Sequence, residues 1–297
     1  MIRLALRVGH EHAELVLAEL LELAPAGVEE VQAGEGTIEY AVYGAPGELP
    51  SLPALKAAAG DALVDISTSE TADDWQERWK RFHRPVLVPA PRQRSREDRC
   101  VPALHVRPPW EPASDARRGA VEEIVIDPGQ AFGTGGHAST RLCLELLLQL
   151  AQLEQPVGPL LDIGTGSGVL AIAAARLGFA PVLGLDHERE SVEAARANAT
   201  ANGVDIAVRR LDLRKQPLPW IDASDRRAGA VVVVANLLGP LLLELARVMP
   251  RAPAQLLAGG LLKGQADAVA GAFADRLQLR ERERRGSGEW AAVWLAP

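Results

Sequence analysis

The chain has 297 residues, 47% of them hydrophobic, and a formal net charge of −7. That length suits two domains of roughly 100–200 residues each, and no run of about 18 uncharged apolar residues offers a membrane span. The 2 cysteines exclude a disulfide framework, and the charged start MIRLALRVGHEHAEL does not read as an export signal, so the expected location is the cytoplasm.

The charge is uneven. Residues 1–74 hold 3 Lys/Arg against 14 Asp/Glu, a balance of −11, whereas residues 75–121 hold 11 against 5, a balance of +6. An acidic half of this kind either serves solubility or steers a basic partner onto it.

In chain order, Ile2 to Val8 alternates as a strand and Glu11 to Leu23 has helical spacing stopped by Pro25. Strands follow at Val28 to Val31 and Thr37 to Tyr43, a helix at Leu52 to Ala59, and a strand at Leu63 to Ser67. The order βαββαβ predicts a small ferredoxin-like α+β sandwich. It has no His/Cys cluster and no glycine phosphate loop, so it reads as a recognition domain. Asp74 to Phe82 reads as a short helix with Trp75 and Trp79 on one face, and RPVLVPAPRQRSREDRC (residues 84–100) as a solvated loop. HVRPPW (residues 105–110) reads as an edge strand running into a turn.

Residues 123–137, EIVIDPGQAFGTGGH, take a strand (Ile124 to Ile126) into a loop with Gly133, Gly135 and Gly136. Ser139 or Thr140 is placed to cap the helix that follows. The loop is expected to lie over a ligand with Thr140 facing it.

Leu160 to Gly168, LLDIGTGSG, is the most informative stretch. A buried strand runs into Gly164, Gly166 and Gly168, then into the helical run VLAIAAARLG. Glycines permit a sharp turn and close backbone approach, and the helix start directs free N–H groups at a ligand. Asp186 ends a second apolar run, VLGLD, 22 residues after Gly164. An acid at that strand tip suits two ribose hydroxyls. The same pattern serves NAD, but the GxGxG spacing and Asp162 favour S-adenosylmethionine. A tight turn without a ligand is the bland alternative.

Beyond Asp186, Arg189 to Ala201 predicts a helix closed by Asn202-Gly203, and Ile206 to Leu211 a strand ending at Asp212, which serves either a base or a surface turn. Ala230 to Val234 is a wholly apolar strand leading to Asn236, expected two strands along from the glycine loop. Helices at Leu241 to Met249 and Lys263 to Leu277 bracket a strand at Gln255 to Leu262. A terminal hairpin, Leu277 to Arg282 and Trp290 to Leu295, is expected at the sheet edge. Alternating β and α predicts a doubly wound sheet.

Together the segments DWQERWK, VRPPWEP, IDPGQAFGTGGHASTRLCLELL, LLDIGTGSGVLAIAAARLG, VVVANLLGPLLLELA, GGLLKGQAD and GEW resemble the ribosomal protein L-eleven methyltransferase (PrmA) family nearly end to end. GTGSG is shared widely; DPGQAFGTG combined with VVVAN is much narrower. The family commonly has Thr or His in place of Gly136 and Pro in place of Ala138, and the stretch after Asn236 is one residue shorter here.

The resemblance implies a Rossmann-like class I methyltransferase domain over residues 101–297, a linker over 71–100 and a substrate-gripping domain over 1–70. It implies transfer of methyl groups from S-adenosylmethionine to lysine side-chain and N-terminal amines of the large-subunit protein L-eleven; the expected state is a monomer. Carried over by motif, Thr140, Gly164, Asp186 and Asn236 bind the cofactor; Gly166 of the same loop is expected to join them, no metal is expected, and Asn236 is the expected catalytic residue. Its neutral amide accepts an amine proton without stabilising the unreactive ammonium as a carboxylate would. The alternatives are a lysine methyltransferase for another protein and an NAD-dependent oxidoreductase on the same loop. A nucleic-acid base methyltransferase is disfavoured, because Asn236-Leu237-Leu238-Gly239 is not the Asn-Pro-Pro-aromatic tetrad of those enzymes and the first domain is acidic.

Overall fold

The computed structural model describes residues 2–24, 28–34, 36–44, 49–70, 83–93, 99–115, 120–128, 132–153, 158–220 and 231–297. The chain divides into two units, Met1–His83 and Arg84–Pro297. The expected helix at 74–82, with Trp75 and Trp79, lies outside the described residues, as does most of the segment assigned to a linker.

In the first unit the order is β1 (Ile2–Gly9), α1 (Ala13–Leu23), β2 (Glu29–Gly34), β3 (Thr37–Gly44), α2 (Leu52–Ala59) and β4 (Leu63–Glu70). The sheet runs β2-β3-β1-β4 with every pairing antiparallel. Alternation places Leu4, Leu6 and Val8 of β1 on one face, where Val16 and Leu20 of α1 and Leu55 and Ala59 of α2 cover them. α2 starts where Ser51 Oγ accepts the Ala54 N–H at 3.3 Å. On the opposite face Glu39 pairs with Arg3 at 2.5 Å and Arg7 at 2.9 Å, and the Arg3 bond holds its carboxyl below the usual range.

The second unit opens with β5 (Val86–Val88), β6 (Ala103–Arg107) and β7 (Val121–Val125), a three-stranded sheet in the order β5-β6-β7. Two expectations change here. β6 is the central strand, not an edge, because it ends at Arg107 and the prolines Pro108 and Pro109 follow the ladder instead of interrupting it. Val86–Val88, read as loop, pairs antiparallel with β6.

After α3 (Ala138–Leu153) come β8 (Leu160–Ile163), α4 (Val169–Arg176), β9 (Val182–Asp186), α5 (Arg189–Ala201), β10 (Ala207–Arg210) and β11 (Val232–Asn236). Then follow α6 (Gly239–Val248), β12 (Gln255–Leu262), α7 (Ala266–Leu277), β13 (Arg280–Ser287) and β14 (Trp290–Ala296). The seven-stranded order is β10-β9-β8-β11-β12-β14-β13. β10, β9, β8, β11 and β12 are parallel, while β14 runs antiparallel to both its neighbours. Only β13 of the terminal hairpin is an edge: WAAVWLA in β14 is buried throughout, whereas no residue of the charged RERERRGS of β13 is buried.

Successive residues of the central strands face opposite cores. Val232 and Val234 join α3 and α4 on one side; Val233 and Ala235 join α6 and α7 on the other. Helices on both faces explain why these strands read as unbroken apolar runs. β11 lies directly beside β8 rather than two strands away, because the chain winds outward through β9 and β10 before it returns. The reversal falls between β8 and β11, where such sheets hold ligands.

Candidate active site

Gly164, Gly166 and Gly168 all have left-handed φ, at 73°, 52° and 85°, a conformation that glycine adopts without penalty. The N–H groups of Gly164 and Thr165 both donate to Leu185 O, at 2.8 and 3.0 Å, which pins the loop to β9. Gly166 N–H donates to Asp186 Oδ2 at 2.9 Å, and Glu188 N–H to Oδ1 at 3.0 Å. Asp186 is therefore fixed by backbone donors, and each oxygen keeps a lone pair for another.

Asp162 lies under the loop, fully buried. Its Oδ2 accepts from Thr165 Oγ1 at 2.6 Å and Ala171 N at 3.1 Å, while Oδ1 has no partner. Burial pushes its pKa from 3.8 up to about 7. Between those values the folded chain binds the proton that the unfolded chain releases, so this group's contribution falls as pH rises. Asp162→Asn should remove that slope. Thermal melts of both proteins from about pH 5 to about pH 8 should show the variant gaining on the native chain as pH rises; parallel curves would sink this account of Asp162.

The second glycine loop lies against the first. Ser167 N–H donates to Phe132 O at 2.8 Å and Ser167 Oγ to Gly133 O at 2.6 Å. A Cβ on Gly166 would collide with the Phe132 carbonyl oxygen, and one on Gly164 with the Leu237 side chain. Gly164 is thus favoured by its backbone and packs closely against the side chain of Leu237, the residue after Asn236.

α3 starts at Ala138, ahead of both expected caps, and the capping side chain is that of His137. Its Nδ1 accepts the Ser139 N–H at 3.3 Å and lies 2.8 Å from Ser139 Oγ. Burial lowers the His137 pKa to about 4, which keeps the ring neutral and able to accept. Thr140 sits inside the first turn, buried, and its Oγ1 accepts from Asn236 Nδ2 at 3.2 Å. Asn236 Oδ1 is buried without a partner, beside the position where a Gly259 Cβ would stand. With Nδ2 on Thr140, that oxygen is left for a further donor; a half-turn of the amide exchanges the two atoms.

The expected residues therefore form two neighbouring clusters. Gly164, Gly166 and Asp186 close the β8–β9 edge, Thr140 and Asn236 join α3 to β11, and Leu237 spans the gap to Gly164. Sequence reasoning missed the ring group beside them: His137 lies edge-on to Phe132 at 5.4 Å and to Trp290 at 4.7 Å. The pattern GTGGH contained the histidine, but nothing local links it to Trp290. Asp212 serves a surface turn, accepting Arg214 N–H at 3.0 Å and pairing with Lys215 at 3.0 Å. Among the described residues no group of three or more His, Cys, Asp or Glu could hold a metal ion, and no helix is long and apolar enough to cross a membrane.

A doubly wound sheet with one antiparallel strand inserted next to its edge, and with a glycine loop and an acid at adjacent strand ends, is the class I methyltransferase fold. The profile of the family Ribosomal protein L11 methyltransferase (PrmA) matches residues 52–296. The chain belongs to that family. A ribosomal protein L11 methyltransferase of Syntrophotalea carbinolica is 37% identical over 230 residues, which is 75% of this chain and 66% of that protein. One of Geobacter metallireducens is 34% identical over 242 residues, covering 80% of this chain and 71% of that protein. The crystal structure of ribosomal protein L11 methylase from Lactobacillus delbrueckii subsp. bulgaricus aligns with a TM-score of 0.54 at 29% identity, covering 71% of this chain and 97% of that one. The match to the Syntrophotalea carbinolica and Symbiobacterium thermophilum relatives spans 66% and 65% of their length, just under two thirds.

Proposed function

We propose that this chain is an S-adenosylmethionine-dependent protein methyltransferase that modifies lysine side-chain and N-terminal amino groups of ribosomal protein L11, in the cytoplasm and as a monomer, without recognising nucleic acid directly. The observation that carries the reading is the meeting of two clusters at the β8–β11 reversal, within a chain of this family. Loop and acid suit a nucleoside; the Thr140–Asn236 pair suits a reacting amine.

The residues present fit the cofactor. Asp186 is aimed by two backbone donors and has acceptor capacity left for ribose hydroxyls, and the loop glycines remove Cβ atoms where the chain crowds. The buried, unpaired Asn236 Oδ1 is a polar atom that a bound donor would satisfy. S-adenosylmethionine supplies an activated methyl group on a sulfonium. The protein's task is then to position the acceptor and to present it neutral, although a free lysine has a pKa of about 10.4. Asn236 and Thr140 offer uncharged acceptors, which do not favour the ammonium.

Calorimetric titration with S-adenosylmethionine and with NAD tests the cofactor directly: one-site binding of the first and none of the second is expected, and the reverse would favour the oxidoreductase. In the same assay Asp186→Ala should lose roughly 1.5–3 kcal/mol of affinity, the worth of a charge-assisted bond. Unchanged affinity would remove Asp186 from the ribose.

Residues 1–70 grip the protein substrate in this reading, supported by their self-contained core and their acidic balance toward a basic partner. Deleting residues 1–74 should leave S-adenosylmethionine affinity intact and sharply reduce methylation of the intact substrate protein. Full activity of the truncated chain on that substrate would refute the recognition role.

A further inference from the structure

β7 pairs only with β6 among the described strands, so its other edge needs partners for its backbone groups. Two asparagines one turn apart on and just after α5 supply them. Asn202 accepts the Val125 N–H at 2.8 Å and donates to Val125 O at 2.6 Å. Asn198 accepts the Asp127 N–H at 3.0 Å and lies 3.5 Å from Asp127 O. Four helical residues rise about 6 Å and two strand residues about 6.6 Å, so the two amides fall into register with alternate residues of an extended chain. Both side chains are buried, 3% and 5% exposed.

The two differ in one respect. Besides Val125, Asn202 Nδ2 returns only to its own helix, at Asn198 O. Asn198 Nδ2 crosses to the glycine loop and donates to Ser167 O at 2.9 Å. Ser167 in turn holds Phe132 O and Gly133 O through its N–H and hydroxyl. The stretch that begins at Asp127 and reaches Gly133 is therefore fastened to Ser167 from both ends, once through Asn198 and once directly.

We propose that Asn198 is a positioning residue: through Ser167 it sets the two glycine loops relative to one another, and so sets the affinity for S-adenosylmethionine. The affinity part rests on the function proposed above; the loop-setting part does not. Asn202, with the same chemistry on the same helix but no bond to the glycine loop, is the internal control.

Asn198→Ala and Asn202→Ala in the full chain should both melt earlier, since each strips a buried backbone pair of its partner. Only Asn198→Ala should raise the S-adenosylmethionine Kd, by tenfold or more, at a temperature where every variant is folded. Asn198→Asp keeps the acceptor for Asp127 but cannot donate to Ser167 O; it should weaken binding as Ala does and serves if Asn198→Ala does not fold. Hydrogen exchange without cofactor reads the loops themselves: the Ser167 amide should exchange faster in the Asn198 variants and at the native rate in Asn202→Ala. Native exchange at Ser167 in the Asn198 variants, or a Kd that moves equally in the Asn198 and Asn202 variants, would overturn the proposal. A native chain that binds no S-adenosylmethionine would overturn the cofactor reading and the affinity part, leaving exchange to decide the loop setting.

Discussion

In calorimetry, Gly166→Ala should bind S-adenosylmethionine more than about 100-fold less tightly than the native chain, a loss of roughly 2.7 kcal/mol or more. Two effects combine. An L side chain at a left-handed φ costs roughly 1–2 kcal/mol, and the added Cβ runs into the Phe132 carbonyl oxygen. That oxygen is backbone and already accepts the Ser167 N–H, so the clash is relieved only by parting the two glycine loops. Gly164→Ala meets the Leu237 side chain instead, which can rotate away. The ranking is therefore Gly166→Ala worse than Gly164→Ala, although β8 leads straight into Gly164. Gly164→Val, with branches that leave Leu237 less room, should also abolish binding. If Gly166→Ala is folded and binds normally, the loop is not the cofactor site.

Asn236→Ala should cut turnover far more than cofactor affinity. Deleting one preorganised polar group at a reacting centre costs about 10²–10³ in rate, or roughly 2.7–4 kcal/mol. Thr140→Val, which removes the partner at 3.2 Å, should reproduce part of that loss by releasing the amide. Asn236→Asp is sharper. It preserves shape but sets a carboxylate beside the incoming amine, which favours the ammonium and empties the nucleophilic form. Its activity should climb with pH more steeply than that of the native chain. An aspartate variant matching the native chain at every pH would show that Asn236 does not meet the nucleophile.

What the sequence disclosed follows from how far apart the interacting residues lie. The strands of the doubly wound sheet were legible because helices cover both faces and leave unbroken apolar runs such as VVVV. The glycine loop and Asp186 were legible because their conformational demands are local. β5 was not, since three residues between prolines carry no period. β6 was misplaced as an edge because the prolines that follow it resemble edge punctuation. The hydrogen bond from Asn236 to Thr140 spans 96 positions, and those from Val125 and Asp127 to Asn202 and Asn198 span 77 and 71. Nothing within a helix that reads as surface announces such partners. The surroundings of the Asn236 amide were equally hidden, because Thr140 and Gly259 reach it from distant parts of the chain.

The most direct measurement is mass spectrometry of the whole ribosomal protein pool, taken from cells lacking this protein and incubated with the purified chain and methyl-labelled S-adenosylmethionine. Label should accumulate on ribosomal protein L11 alone, on lysine side chains and the N-terminal amine, and it should vanish with Asn236→Ala. Label on a different protein, on RNA in a parallel digest, or on none of them would contradict the assignment.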